Sequence, residues 1–178
     1  MTSFNIPYFL FPYSKHNEMK QQLIESIQKE EGVAVTNRDK ISKTDWYVNK
    51  DWQEKEYIKL LADNNFIHDI HNQLQEKSIG NWKLISLWYQ VYGTNDTHNW
   101  HKHGECQWSF VYYLKLPPKA RGTILEDMIT QEHIDLQQQE GDIFIFPSMM
   151  RHCSPINFDN EEKIIISGNL DYDGKGYE

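Results

Sequence analysis

The feature that most constrains the fold is a change of hydrophobic period at Trp82. Before it, apolar residues recur at helical spacing: Met19, Leu23, Ile24 and Ile27 form one stripe, and Phe66, Ile67, Ile70 and Leu74 form another. After it, short runs rich in aromatic and β-branched residues follow one another, separated by turn residues. The runs cover 82–92, closed by Gly93-Thr-Asn-Asp, then 107–116, closed by Pro117-Pro118, and then 123–127, 133–136, 143–146 and 163–171. Two helical regions followed by at least six strands imply a mainly β chain with supporting helices, a barrel or sandwich with one face covered. At 178 residues the expectation is one domain over 1–178, with 1–80 as a helix-rich N-terminal support and 81–173 as the β core.

The first half contains few chemical signals. Residues 4–12, bracketed by Pro7 and Pro12, read as an edge strand. Asn17 is placed to cap a helix that runs to about Glu31 and stops at Gly32. Residues 52–78 read as a second helical region broken at Asp63-Asn64-Asn65. Between them, Lys43, Asp45 and Trp46 are candidates for substrate contact, although a turn that pins the loop is the simpler role. His68 and His71, three apart on the second helical region, lack a third ligand at matching spacing and read as surface or boundary residues.

Composition excludes several classes. A net charge of −8 is wrong for a nucleic-acid partner, which requires clustered Lys and Arg. Cys106 and Cys153 are the two cysteines, so there is no disulfide framework and both are expected to be reduced. Neither a leader pattern nor an 18-residue apolar run is visible, so the expectation is a cytoplasmic protein with no membrane partner.

The chemistry gathers around His101-Lys-His103 and His152. A spacing of two puts both imidazoles of an extended segment on one face. His152 follows the apolar run Ile143-Phe-Ile-Phe146 and the Pro147 that ends it. Three imidazoles brought from two strand ends make a site for a divalent transition metal. With those histidines inward, parity places Ser109, Val111 and Tyr113 on the same interior face. On the last strand Lys163, Ile165, Ser167 and Asn169 share a face opposite Ile164, Ile166 and Leu170. A lysine heading that polar face would suit the far carboxylate of a dianion whose other end a metal chelates.

These motifs, Leu87-Trp88 with Gly93, His101-x-His103, Ser109-Phe-Val-Tyr-Tyr113, Gly141-Asp-Ile-Phe-Ile-Phe-Pro-Ser148, His152 and Lys163 leading to Ser167-Gly-Asn169, resemble a known pattern. It is the double-stranded β-helix core, a jelly-roll or cupin-like barrel, of the Fe(II)/2-oxoglutarate-dependent dioxygenases. The branch most similar is found in marine bacteria and phages and is distantly related to prolyl 4-hydroxylases. Its pattern runs His-x-His, Ser-Gly-Val-Tyr-Tyr, Gly-x-apolar-Phe-Pro-Ser, His, and Arg leading into Ser-Phe-Asn. In the wider superfamily the second member of the first pair is usually Asp. The resemblance implies Fe(II) on His101, His103 and His152. It implies 2-oxoglutarate held by Lys163 and Tyr113, with Ser109, Ser167 and Asn169 on the same polar faces, and Trp88, Tyr92 and Trp100 toward the substrate. It implies hydroxylation of a small-molecule or peptidyl substrate with release of succinate and CO2.

Three departures from the pattern matter. His103 replaces the usual carboxylate, with Glu105 as the alternative acidic ligand. Lys163 replaces the arginine that grips 2-oxoglutarate, and a lysine is a point charge rather than a planar fork. Gly168 replaces a phenylalanine. Two other readings stay open: a cupin-type three-His metal dioxygenase that needs no 2-oxoglutarate, and a non-catalytic barrel that only binds.

Overall fold

The computed structural model describes residues 8–48, 51–77 and 82–172. The elements, in chain order, are β1 (Phe9–Pro12), α1 (His16–Lys29), β2 (Val33–Val35) and β3 (Ile41–Thr44). After one 3-10 turn come α2 (Glu56–Asp63), α3 (Phe66–Lys77) and β4 (Trp82–Tyr92). The remainder is strand: β5 (His98–His101), β6 (Trp108–Lys115), β7 (Ile124–Glu126), β8 (His133–Ile134), β9 (Asp142–Pro147), β10 (His152–Ser154) and β11 (Lys163–Tyr172). No described helix is long and apolar enough to cross a membrane.

All strand pairs are antiparallel and form two sheets. One has seven strands in the order β1-β9-β6-β11-β4-β3-β2, the other four in the order β5-β10-β7-β8. This is the double-stranded β-helix, with β1, β2 and β3 of the first half extending the larger sheet at both edges.

Period-two alternation sorts the large sheet into two faces. Leu87, Tyr89, Val91, Phe110, Tyr112, Ile143, Ile145, Ile164 and Ile166 pack under the helices with Leu23, Ile27, Leu61, Phe66 and Leu74. Tyr92, Val111, Tyr113, Phe144, Phe146 and Ile165 face the barrel interior, together with Leu125 of the small sheet. The parity expected for the last strand therefore holds in three dimensions.

Several local expectations are corrected. Helix α1 begins at His16, and Asn17 does not cap it: the chain enters from the turn in which His16 N donates to Tyr13 O (3.1 Å). It ends at Lys29, because Glu30 is already extended (φ −67°, ψ 148°), so Gly32 lies beyond the stop. The break between α2 and α3 falls where expected, with Asn65 in the left-handed region (φ 61°). Only residues 8–12 of the proposed 4–12 edge strand lie within the described residues.

Candidate metal centre

His101 ends β5 and His152 opens β10, and the two residues are paired directly across the small sheet. Their rings lie 4.2 Å apart, centroid to centroid. His103 lies beyond the end of β5, so strand period alone does not bring it inward. The turn is instead tied to the other rim of the barrel, where His103 N donates to Ser148 O (2.9 Å) and Ser148 N donates to Gln107 O (3.0 Å). The three imidazoles offer ligand atoms within 4.8 Å of one another. Glu105 is exposed and outside this group. His68 and His71 on α3 are also outside it.

The hydrogen bonds behind the rings fix their chemistry. The Nδ1 of His101 lies 2.7 Å from the carbonyl of Asn99, that of His152 lies 2.9 Å from the carbonyl of Met150, and that of His103 lies 2.8 Å from Asn169 Oδ1. Carbonyl oxygens only accept, so each Nδ1 carries the proton and each Nε2 keeps its lone pair. Burial holds all three histidines below the ordinary imidazole range, so they are neutral. Three neutral imidazoles that offer lone pairs to one region, with no donor among them, fit a divalent cation.

Asn169 and Ser109 were expected at the cosubstrate but lie behind His103, where Ser109 Oγ also donates to Asn169 Oδ1 (3.0 Å). Ser167 lines the interior beside the triad. A fourth histidine, His98, was not singled out in the sequence; it stacks on His101 with centroids 3.9 Å apart and rings 19° from parallel. Desolvation lowers its pKa to about 4. Its spacing, His98-x-x-His101, was the available signal.

The three histidines line a narrow inner cavity together with Tyr92, Thr123 and Ser154. Beyond Ser154 lies Lys163, which is 1% exposed. Its ammonium donates to Ser154 Oγ and to Arg121 O (3.2 Å), and it sits 4.5 Å from the centre of the Tyr92 ring. Among the described residues no carboxylate pairs with it, and burial lowers its pKa to about 7. The Tyr92 hydroxyl, buried beside Ser154, makes no well-formed hydrogen bond. The Tyr113 hydroxyl accepts from Thr123 N (2.9 Å) on the same interior face. A buried ammonium with no carboxylate partner, beside a phenol and a serine hydroxyl, has the chemistry to hold a carboxylate. Sequence reasoning missed Ser154, although its spacing from His152 puts both on one face.

On the other side of the triad an open cleft of about 640 Å³ is lined by Trp46, Tyr47, Trp88, Gln90, His98, His101 and His103, among others. Trp88, read from the sequence as substrate-side, lines this cleft. Tyr92 lies deeper, over Lys163, and Trp100 lies elsewhere, against His133 (4.8 Å) and the Arg151 guanidinium (5.7 Å). Asp45 pins its loop: its carboxylate accepts from Lys55 Nζ (2.7 Å), the Tyr57 hydroxyl (2.8 Å) and Tyr89 N (2.8 Å).

No family model matches the chain, and no curated protein matches it. Solved structures do. A 2OG-Fe(II) oxygenase family oxidoreductase from Burkholderia pseudomallei superposes with a TM-score of 0.73 at 10% identity, over 92% of this chain and 85% of that one. The non-heme α-ketoglutarate-dependent epimerase SnoN of nogalamycin biosynthesis gives 0.70 at 12%, over 97% and 87%. A Pseudomonas putida prolyl-4-hydroxylase gives 0.64 at 13%, over 95% and 94%. The fold is that of the 2-oxoglutarate/iron(II) oxygenases. His103 is kept neutral by burial, against the opposing pull of its hydrogen bond to Asn169 Oδ1, and that bond holds the proton on Nδ1 and leaves Nε2 free.

Proposed function

We propose that the chain is an Fe(II)- and 2-oxoglutarate-dependent dioxygenase that hydroxylates a small-molecule or peptidyl substrate and releases succinate and CO2. His101, His103 and His152 would hold the metal, and Lys163 with Tyr92, Ser154 and Tyr113 would hold the far carboxylate of 2-oxoglutarate. When bound, the iron would supply the redox chemistry by which dioxygen, the oxidant, oxidises both 2-oxoglutarate and a C–H bond of the substrate. The chain's own residues set geometry and exclude water. Asn99, Met150 and Asn169 orient the ligands, and Phe146 packs its ring 4.7 Å from His152 on the apolar side. Trp88 and Gln90 line both the inner cavity and the outer cleft, so a substrate in the cleft would lie beside the metal.

The observation that carries this reading is Lys163. A cupin-type metal dioxygenase uses the same three imidazoles but has no use for a buried cation without an anion, which weakens the fold without a ligand to neutralise it. The cleft's acidic residues and the net charge of −8 support a partner other than nucleic acid, and a cytoplasmic site of action fits two free cysteines. Incubation with Fe(II), ascorbate, oxygen and 2-oxoglutarate tests the proposal. Succinate release that depends on His101, His152 and Lys163 is expected. Iron binding with no consumption of 2-oxoglutarate would favour the cupin-type reading, and absence of iron binding would favour a non-catalytic barrel.

A further inference from the structure

The outer cleft differs in charge from the inner cavity. Its formally charged lining residues are Asp39 and Glu105, and no described lysine or arginine lines it. Its walls carry Trp46, Tyr47 and Trp88, with the Trp46 and Trp88 rings 4.3 Å apart at 63°, two sides of an aromatic box. Trp46 is 49% and Tyr47 65% exposed, whereas Tyr57, Tyr89, Tyr92, Tyr112 and Tyr113 are fully buried. Leaving such rings in water is unfavourable unless a ligand covers them. The segment that carries them is held in place: Asp45, next to Trp46, is 1% exposed and bonded to Lys55 just before α2, to Tyr57 of α2 and to Tyr89 of β4.

Electron-rich ring faces with carboxylates and no lysine or arginine beside them select a positive ligand. We propose that this cleft binds an alkylammonium group, so that the substrate of the proposed oxygenase is a cation held against Trp46 and Trp88 with Glu105 and Asp39 as counter-charges. The two cavities then sort their ligands by sign. Lys163 draws the dianionic cosubstrate inward, and the acidic aromatic cleft repels it while attracting the substrate. Glu105, close to His103 in sequence yet outside the metal group, gains a role that its exposed position permits.

This inference rests on the oxygenase reading only for the fate of the cation, so it is tested on metal-free protein, where failure to release succinate has no bearing. Indole N–H shifts of Trp46 and Trp88 are followed on titration with Nα-acetyl-lysine amide, with n-butylammonium, and with the neutral Nα-acetyl-norleucine amide. Binding of either cation at least about fivefold tighter than the norleucine probe is expected, in line with a cation–π contact plus a carboxylate. The advantage should shrink about threefold in Glu105→Gln and in Trp46→Leu, and fall at ~1 M salt, where charges are screened within a few ångströms. Tighter binding of the lysine probe than of n-butylammonium would assign the cation to a peptidyl side chain, and the reverse to a free amine. Equal or tighter binding of norleucine, no binding of any probe, or an advantage untouched by both substitutions would overturn the proposal. Glu105→Gln changes an exposed side chain and is expected to keep the fold and the iron content.

Discussion

At the scale of single residues, Lys163 links stability to function. Its ammonium is buried and titrates at about 7, against ~10.4 for a free lysine. Between those values the unfolded chain holds a proton that the folded chain lacks, so stability rises with pH across that window and is lowest below it. Lys163→Met removes the buried charge and is expected to stabilise the ligand-free protein near pH 6.5 by on the order of 1–4 kcal/mol. It should also weaken 2-oxoglutarate binding by roughly 2–5 kcal/mol. Urea unfolding and calorimetric titration check the two halves; loss of both stability and binding would mean that the lysine serves the chain rather than a ligand. Because only the protonated amine attracts a carboxylate, wild-type affinity for 2-oxoglutarate should fall as pH rises from 6.5 to 8.5, and Lys163→Arg should flatten that dependence. At the metal, His103→Asp is expected to retain iron and Glu105→Gln to leave iron content unchanged, measured by metal analysis. Loss of iron in Glu105→Gln with retention in His103→Ala would make Glu105 the ligand instead.

At the scale of elements, the pairing of β6 with β11 explains the third departure from the related pattern. Gly168 lies directly opposite Phe110 in that ladder. A Cβ on residue 168 would come within 2.5 Å of the Phe110 ring and 2.9 Å of Ser86 O. The related pattern has glycine where this chain has Phe110 and phenylalanine where it has Gly168, so each sequence carries one phenylalanine across this pair of positions. Phe110→Gly should cost about 3–5 kcal/mol through the cavity it leaves, and Gly168→Phe about 1–3 kcal/mol or more through overpacking. The double exchange should recover a coupling of about 2 kcal/mol in a double-mutant cycle read by denaturant unfolding. Strict additivity would show that the two positions do not share the space.

For the whole molecule, a ligand that binds only the folded chain adds stability in proportion to the logarithm of its excess over Kd, about 2.7 kcal/mol at a hundredfold. Fe(II) and 2-oxoglutarate added without oxygen should therefore raise the melting temperature of the wild type and of the His68→Ala/His71→Ala variant. They should not raise that of His101→Ala or His152→Ala, and an equal rise in all four would place the metal elsewhere. Much of this arrangement was legible beforehand, because side-chain alternation is a local property of a strand. The sequence by itself determined the helix-to-strand change at Trp82, the two faces of β11 and the candidacy of the three histidines. Tertiary structure alone decided which of those faces meet. His103 reaches the site through a turn bonded to Ser148, and Asn169 arrives behind it because β11 lies beside β6. His98, Ser154 and Tyr92 join the site while Trp100 turns away from it. Those outcomes depend on strand order and on register between segments far apart in the chain. A period of two repeats identically in every strand and carries no record of either.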